Sequence, residues 1–112
     1  MTCNPGDLVL IPFPFSDLTT VKRRPVLVVT SPDRHGDFIS LAVTSVEQRE
    51  SAVALTNESL QKGALPKPSW VRVDKVFTLS SSSIAKAIGS VREEVFQSVL
   101  TEMCKRVGYV RG

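Results

Sequence analysis

The residues of this chain best suited to chemistry are arginine, threonine, aspartate and serine, and they fall where strand patterns begin and end. Lys22-Arg23-Arg24 runs into Pro25 and then into the apolar Val26-Leu27-Val28-Val29. Proline biases the residue before it toward extended angles, so Arg24 is expected at the rim of a rigid core. A guanidinium held there can meet a phosphate through paired N–H groups, or can form a structural ion pair. Thr44 and Ser45 close a second strand pattern. A strand threonine can donate to an anion, or can be satisfied by nearby backbone. Arg72 and Asp74 belong to Ser69-Trp70-Val71-Arg72-Val73-Asp74-Lys75, where alternation places them on one face with Cα atoms roughly 6.5–7 Å apart. Such a pair is either half of an acid–base site or a surface ion pair. Trp70 shares their face and can stack a base or fill part of the core.

These residue types are compatible with one reaction that needs no metal, the attack of a ribose 2′-hydroxyl on its own phosphodiester. The nucleophile belongs to the substrate. The protein has only to accept a proton, neutralise a pentavalent phosphate and protonate the leaving oxygen. Other chemistries lack their residues. There is no glycine-rich phosphate loop, nucleophile elbow or histidine cluster. The carboxylates show no dense metal-binding pattern, and Cys3, Cys104 and His35 are too few for a tetrahedral zinc site. No metal and no cofactor are expected. With one histidine, an acid–base pair of histidines within one chain is excluded. His35 sits in a turn beside Asp33 and Asp37, which suits a solvated side chain.

The elements that must position these groups follow from period and punctuation. Asn4-Pro5-Gly6-Asp7 reads as a turn and Leu8-Val9-Leu10-Ile11 as a buried strand that Pro12-Phe13-Pro14-Phe15 ends. Ser16 to Val21 reads as a polar loop, the kind of segment that carries binding function. Pro25 is expected at the first position of a strand buried on both faces through Thr30. Ser31 to Asp37 is a turn-rich connection, and Asp37 to Val46 a strand. Ile39, Leu41 and Val43 share one of its faces; Ser40, Ala42 and Thr44 share the other and leave open space near Thr44. Ala52 to Leu55 is a short strand. Thr56-Asn57-Glu58 starts one or two helical turns that end before Gly63. Ser80 to Ser83 is a polar break, and Ile84 to Gly89 a further strand. Ser90-Val91-Arg92-Glu93 fits a capping box opening a helix whose stripe is Val91, Val95, Val99, Met103 and Val107, with Gly108 at its end. Strands first and one amphipathic helix last make a mainly β domain, because a single apolar stripe must cover a sheet or barrel.

Composition bounds the rest. The 112 residues, 42% hydrophobic and 22% charged, describe one domain, residues 1–112, with a modest core. The net charge of +3 permits an anionic partner without requiring one. Met1-Thr2-Cys3-Asn4-Pro5 lacks the pattern of a signal peptide, and no apolar run is long enough for a bilayer, so a cytoplasmic protein with reduced thiols and no membrane partner is expected.

In order along the chain, Gly6-Asp7-Leu8-Val9-Leu10-Ile11-Pro12 with Phe13-Pro14-Phe15-Ser16-Asp17-Leu18, then Arg24-Pro25-Val26-Leu27-Val28-Val29, Val43-Thr44-Ser45, Ser69 to Asp74 and Ile88-Gly89-Ser90-Val91 resemble the MazF/PemK (Kid-like) family of toxin endoribonucleases. The resemblance implies an SH3-like small β-barrel with a C-terminal helix, a homodimer, and single-stranded RNA lying across the dimer surface. It implies the toxin of a type II toxin–antitoxin system, a metal-independent, sequence-selective RNA endonuclease (an mRNA interferase). That enzyme leaves a 2′,3′-cyclic phosphate and a 5′-hydroxyl, and a cognate antitoxin blocks its groove. Arg24 and Thr44 match the family's pair at the scissile phosphate, Arg72 and Asp74 its acid and base, and Ser45 an RNA-contacting serine. Asp17, Lys22, Arg23 and Trp70 complete the expected RNA-binding set. Family members carry a histidine or a glutamate in the first loop; Ser16 to Arg23 has neither, which leaves Asp74 or Asp17 to accept the proton. Two other functions fit the same fold: a non-catalytic RNA-binding barrel, and a toxin that poisons DNA gyrase. Gyrase poisons of this fold end in Trp-Gly-Ile, whereas this chain ends Tyr109-Val110-Arg111-Gly112.

Overall fold

The computed structural model describes residues 2–14 and 21–109. In chain order its elements are β1 (Asp7–Pro14), β2 (Val21–Val28), β3 (Asp37–Thr44), β4 (Ala52–Leu55), β5 (Leu60–Gly63), β6 (Ser69–Ser80), β7 (Lys86–Val91) and α1 (Glu93–Arg106). The strands form one antiparallel sheet in the order β4-β6-β3-β2-β1-β7-β5, curled into a half-barrel with the helix last. The helix is too short and polar to cross a membrane, as is every helix among the described residues.

Each face of the sheet buries its own cluster, which is why Leu8 to Ile11 and Val26 to Val28 show no polar alternation. Leu8, Leu27 and Leu41 lie directly opposite one another across β1, β2 and β3, each 0% exposed. Phe96 and Val99 of α1 press onto this face, together with Leu55, Val71 and Val73. Val9, Ile11, Val26, Val28 and Phe38 point the other way and are covered by Cys3 and Ile84. Burial pushes the Cys3 thiol above its ordinary range, as expected of an inert core cysteine.

The second face is concave. Phe13 of β1 and Phe77 of β6 meet with ring centroids 5.9 Å apart, although β2 and β3 lie between their strands. Three strand spacings in a flat sheet would separate them by about 14 Å, so the sheet must roll over this face. Part of the bend comes from a bulge in β6. Leu41 pairs with Val76 whereas Ala42 pairs with Arg72, leaving Val73 to Lys75 without partners on β3.

β2 departs from expectation. The strand begins at Val21, so Lys22, Arg23 and Arg24 lie inside the β1–β2 hairpin, and Pro25 stands mid-strand opposite Leu10 rather than at the strand start. Likewise Pro12 to Pro14 extend β1 rather than ending it. The hydrogen-bond direction explains how Pro25 is tolerated. Gly6 N–H donates to the Val28 carbonyl on the β1 side, and Val29 N–H donates to Ile39 on the β3 side. Even-numbered positions of β2 therefore turn their peptide groups toward β1, and odd-numbered ones toward β3. Pro25 is odd and has no N–H to offer β3. The β2–β3 ladder accordingly stops at Val26↔Ala42, although β2 continues against β1.

Other local readings also shift. Residues Asn57–Ser59 make a single 3-10 turn, followed by strand β5 where further helix was expected. Ser90 does not cap the helix. It is buried in β7 and accepts a hydrogen bond from the Gln61 side chain at 3.2 Å, because pairing with β1 and β5 holds the chain extended through Val91. The cap position is Arg92. Val107 lies past the helix end and is exposed. Gly108, at φ +81°, ends α1 as expected: its N–H donates to Lys105, and Tyr109 N–H donates to Cys104.

Pro25→Ala supplies the missing donor opposite Val43. The new amide at position 25 should bond to β3 and exchange its hydrogen slower than an open strand amide by about tenfold or more. Fast exchange there, with unchanged Val43 and Thr44 resonances, would contradict this account of the ladder's end.

Candidate active site

Where the β2–β3 ladder stops, the two strands separate and their side chains frame a cleft. Continuing the register of Val26↔Ala42 sets Pro25 against Val43 and Arg24 against Thr44. That register puts Arg24 and Thr44 on the same concave side, and both line the same cleft of about 320 Å³. Arg72 joins them, because the β6 residue opposite Ala42 is Arg72. The small side chains expected on the Ser40–Ala42–Thr44 face leave this room: Ala42 forms the floor between Val26 and Arg72.

A second cleft of about 390 Å³ shares Arg24, Pro25, Val43 and Thr44 with the first. Its further cations are Lys22, Arg23 and Lys67, and its hydroxyls include Ser45 and Ser69. The Arg24–Thr44 pair is therefore the saddle between two openings, one aromatic and one cationic.

Thr44 meets both readings of a strand hydroxyl. Its Oγ1 accepts the Val46 N–H at 3.1 Å, which orients the oxygen and leaves the hydroxyl hydrogen to donate. Arg72 and Asp74 form a two-point pair: Nε donates to Oδ1 at 3.2 Å and Nη2 to Oδ2 at 3.0 Å. The side chains are 30% and 24% exposed, so solvent weakens the pair without dissolving it. The guanidinium bonds hold the Asp74 carboxyl below its ordinary pKa.

The structure thus brings Arg24, Thr44 and Arg72 together at one cleft, with Asp74 bonded behind Arg72. It gathers Lys22, Arg23 and Ser45 around the adjoining one. Trp70 pairs with Thr44 across the β3–β6 ladder and lines neither cleft. Asp17 lies outside the described residues. Sequence reading passed over Phe13, Lys75, Phe77 and Lys67. Alternation from Val71 puts Phe77 on the wrong face, since the three unpaired residues 73–75 shift the parity of everything after them. His35 remains in its exposed turn, where Asp33 Oδ1 accepts its N–H at 2.8 Å.

The family model for the PemK-like, MazF-like toxin of type II toxin–antitoxin systems matches residues 4–106, and the chain belongs to that family. Solved structures share the fold at low identity. A MazE–MazF crystal structure (Form-II) from Deinococcus radiodurans is 20% identical, covering 96% of this chain and 97% of the other, with a TM-score of 0.78. An endoribonuclease in complex with its cognate antitoxin, from a Mycobacterial species, is 18% identical over 98% and 99% of the two chains, with a TM-score of 0.76. The Mycobacterium tuberculosis toxin MazF-mt6 is 16% identical over 92% and 99%, with a TM-score of 0.69. Among curated protein sequences none is significantly similar to this chain.

The Arg72–Asp74 pair makes a pH prediction. A carboxyl whose folded pKa is depressed adds stability above its unfolded pKa, near 3.9, and loses it as pH falls through the folded value. The stability gap between the native chain and Asp74→Asn should therefore be present at pH 7 and close in acid. Carbon-detected NMR titration should place the Asp74 midpoint below the ordinary aspartate range, and Arg72→Gln should return it there. A midpoint unmoved by Arg72→Gln would show that the guanidinium is not the cause.

Proposed function

We propose that this chain is the toxin of a type II toxin–antitoxin system that cuts single-stranded RNA without a metal ion. The observation that carries the reading is that Arg24, Thr44 and Arg72 line one cleft where the β2–β3 ladder ends. In this reading the scissile phosphate lies on the Arg24–Thr44 saddle. The 2′-oxygen of the substrate attacks phosphorus as its proton leaves, the bond to the 5′-oxygen breaks, and that oxygen is protonated. The products are a 2′,3′-cyclic phosphate and a 5′-hydroxyl. Arg24 neutralises the charge that accumulates on the phosphoryl oxygens, and Thr44 donates to one of them.

Arg72 and Asp74 are the acid–base candidates. Asp74 is a weak base while its two oxygens bond Arg72, so its first role is to aim that guanidinium at the cleft. Asp17 is the other candidate to take the 2′-proton. Lys22, Arg23 and Ser45 hold the neighbouring RNA backbone, and Trp70 flanks the path on the same sheet face as Thr44. A homodimer fits the exposed apolar pair Ile39 and Val76, diagonal neighbours on the β3–β6 ladder. An antitoxin partner fits the fold's likeness to toxins solved with theirs. We place the action in the cytoplasm, where its RNA substrate is found.

The test is incubation of mixed-sequence single-stranded RNA with the protein in excess chelator, with products mapped by end chemistry. Arg24→Ala and Thr44→Ala, both folded, should each slow cleavage by about 10²–10³-fold, the usual loss of a preorganised donor to a developing anion. Asp74→Asn tests the base: loss as deep as that of Arg24→Ala assigns the proton to Asp74, and a milder loss points to Asp17. RNA bound tightly but left intact would favour a binding barrel, and loss of DNA supercoiling activity would favour a gyrase poison.

A further inference from the structure

Phe77 is an aromatic side chain that the fold leaves on the surface of the concave face. It is 36% exposed, in mid-strand, opposite the fully buried Ser40, whose hydroxyl donates to the Phe77 carbonyl at 3.1 Å. The backbone there is pinned and the ring is only partly covered. The ring stands tilted by 54° against Phe13, and both rings line the same cleft as Arg24, Thr44, Arg72 and Lys75.

Three cations and a hydroxyl around an exposed Phe77 and a half-buried Phe13 match what a single nucleic acid strand needs. The rings offer a π-face to any base, and the cations hold the phosphate joined to it. A cleft of about 320 Å³ has room for one unstacked base. The second cleft, across the Arg24–Thr44 saddle, has cations and hydroxyls but no aromatic side chain among its described residues. The two sides are therefore chemically unlike.

We propose that Phe77, backed by Phe13, is the stacking platform for the nucleobase on one side of the scissile phosphate. The phosphate backbone on the other side runs through the Lys22–Arg23–Lys67 cleft without a stacked base. This rests on the ribonuclease reading of the Arg24–Thr44 saddle and adds to it a direction and a base subsite. The platform residue selects for a splayed, single-stranded substrate, since a paired base cannot enter the cleft.

The probe is an RNA heptamer spanning the mapped cut, with 2′-deoxyribose at the cut nucleotide so that it binds without reacting. Two companions carry an abasic residue immediately before or immediately after that phosphate. The native protein should lose about tenfold in affinity for one abasic companion and little for the other. Phe77→Leu, which keeps apolar packing against Phe13, should bind the intact heptamer about tenfold more weakly. It should no longer distinguish it from the abasic companion, as in a double-mutant cycle. Equal losses of Phe77→Leu toward intact and abasic probes would mean a merely structural role and overturn the proposal. So would native protein indifferent to both abasic positions. RNA that is cut while the cycle shows no coupling removes the base platform alone, whereas a chain that neither binds nor cuts the RNA removes the ribonuclease reading with it.

Discussion

The site depends on one absent hydrogen-bond donor. At position 25 the chain owes β3 a peptide N–H, and proline has none, so β2 and β3 part company while β2 stays paired to β1. A single ladder bond is worth only about 1 kcal/mol net, so stability barely registers its loss. Geometry registers it fully. Two strands that would otherwise zip to their ends instead leave Arg24 and Thr44 lining one cleft. The same ring holds Arg24 extended, and the β1–β2 hairpin keeps its base rigid.

Around this gap the sheet rolls. The Phe13–Phe77 contact spans two intervening strands, and the bulge at Val73 to Lys75 supplies part of the bend. The bulge also turns Phe77 toward the cleft. Concave curvature concentrates the cations of β2 and β6 at one place. Asp74 offsets part of that charge while orienting its neighbour.

Alternation was enough to read most of this face from residues alone. Ile39, Leu41 and Val43 against Ser40, Ala42 and Thr44, and Val71 and Val73 against Trp70, Arg72 and Asp74, fall as a period of two requires. That worked because each segment is short and locally regular. It failed where a partner strand overrides local preference. Val21 reads as the end of a loop and is strand because β1 lies beside it; Ser90 looks like a helix cap and is strand because β1 and β5 hold it. Phe77 was invisible because a bulge cannot be counted without its partner.

The sequence by itself determined which strands are buried on both faces, that a helix covers the sheet, that Thr44 ends a strand, and that Arg72 and Asp74 share one strand face. Those facts are carried by periodicity, which is a property of neighbours along the chain. Only the tertiary structure decided that Arg24 lies within a paired strand and meets Thr44 and Arg72 at one cleft, with an aromatic opening on one side and a cationic one on the other. Strand order and the bulge in β6 set those distances, and both arise from pairings between residues far apart in the chain.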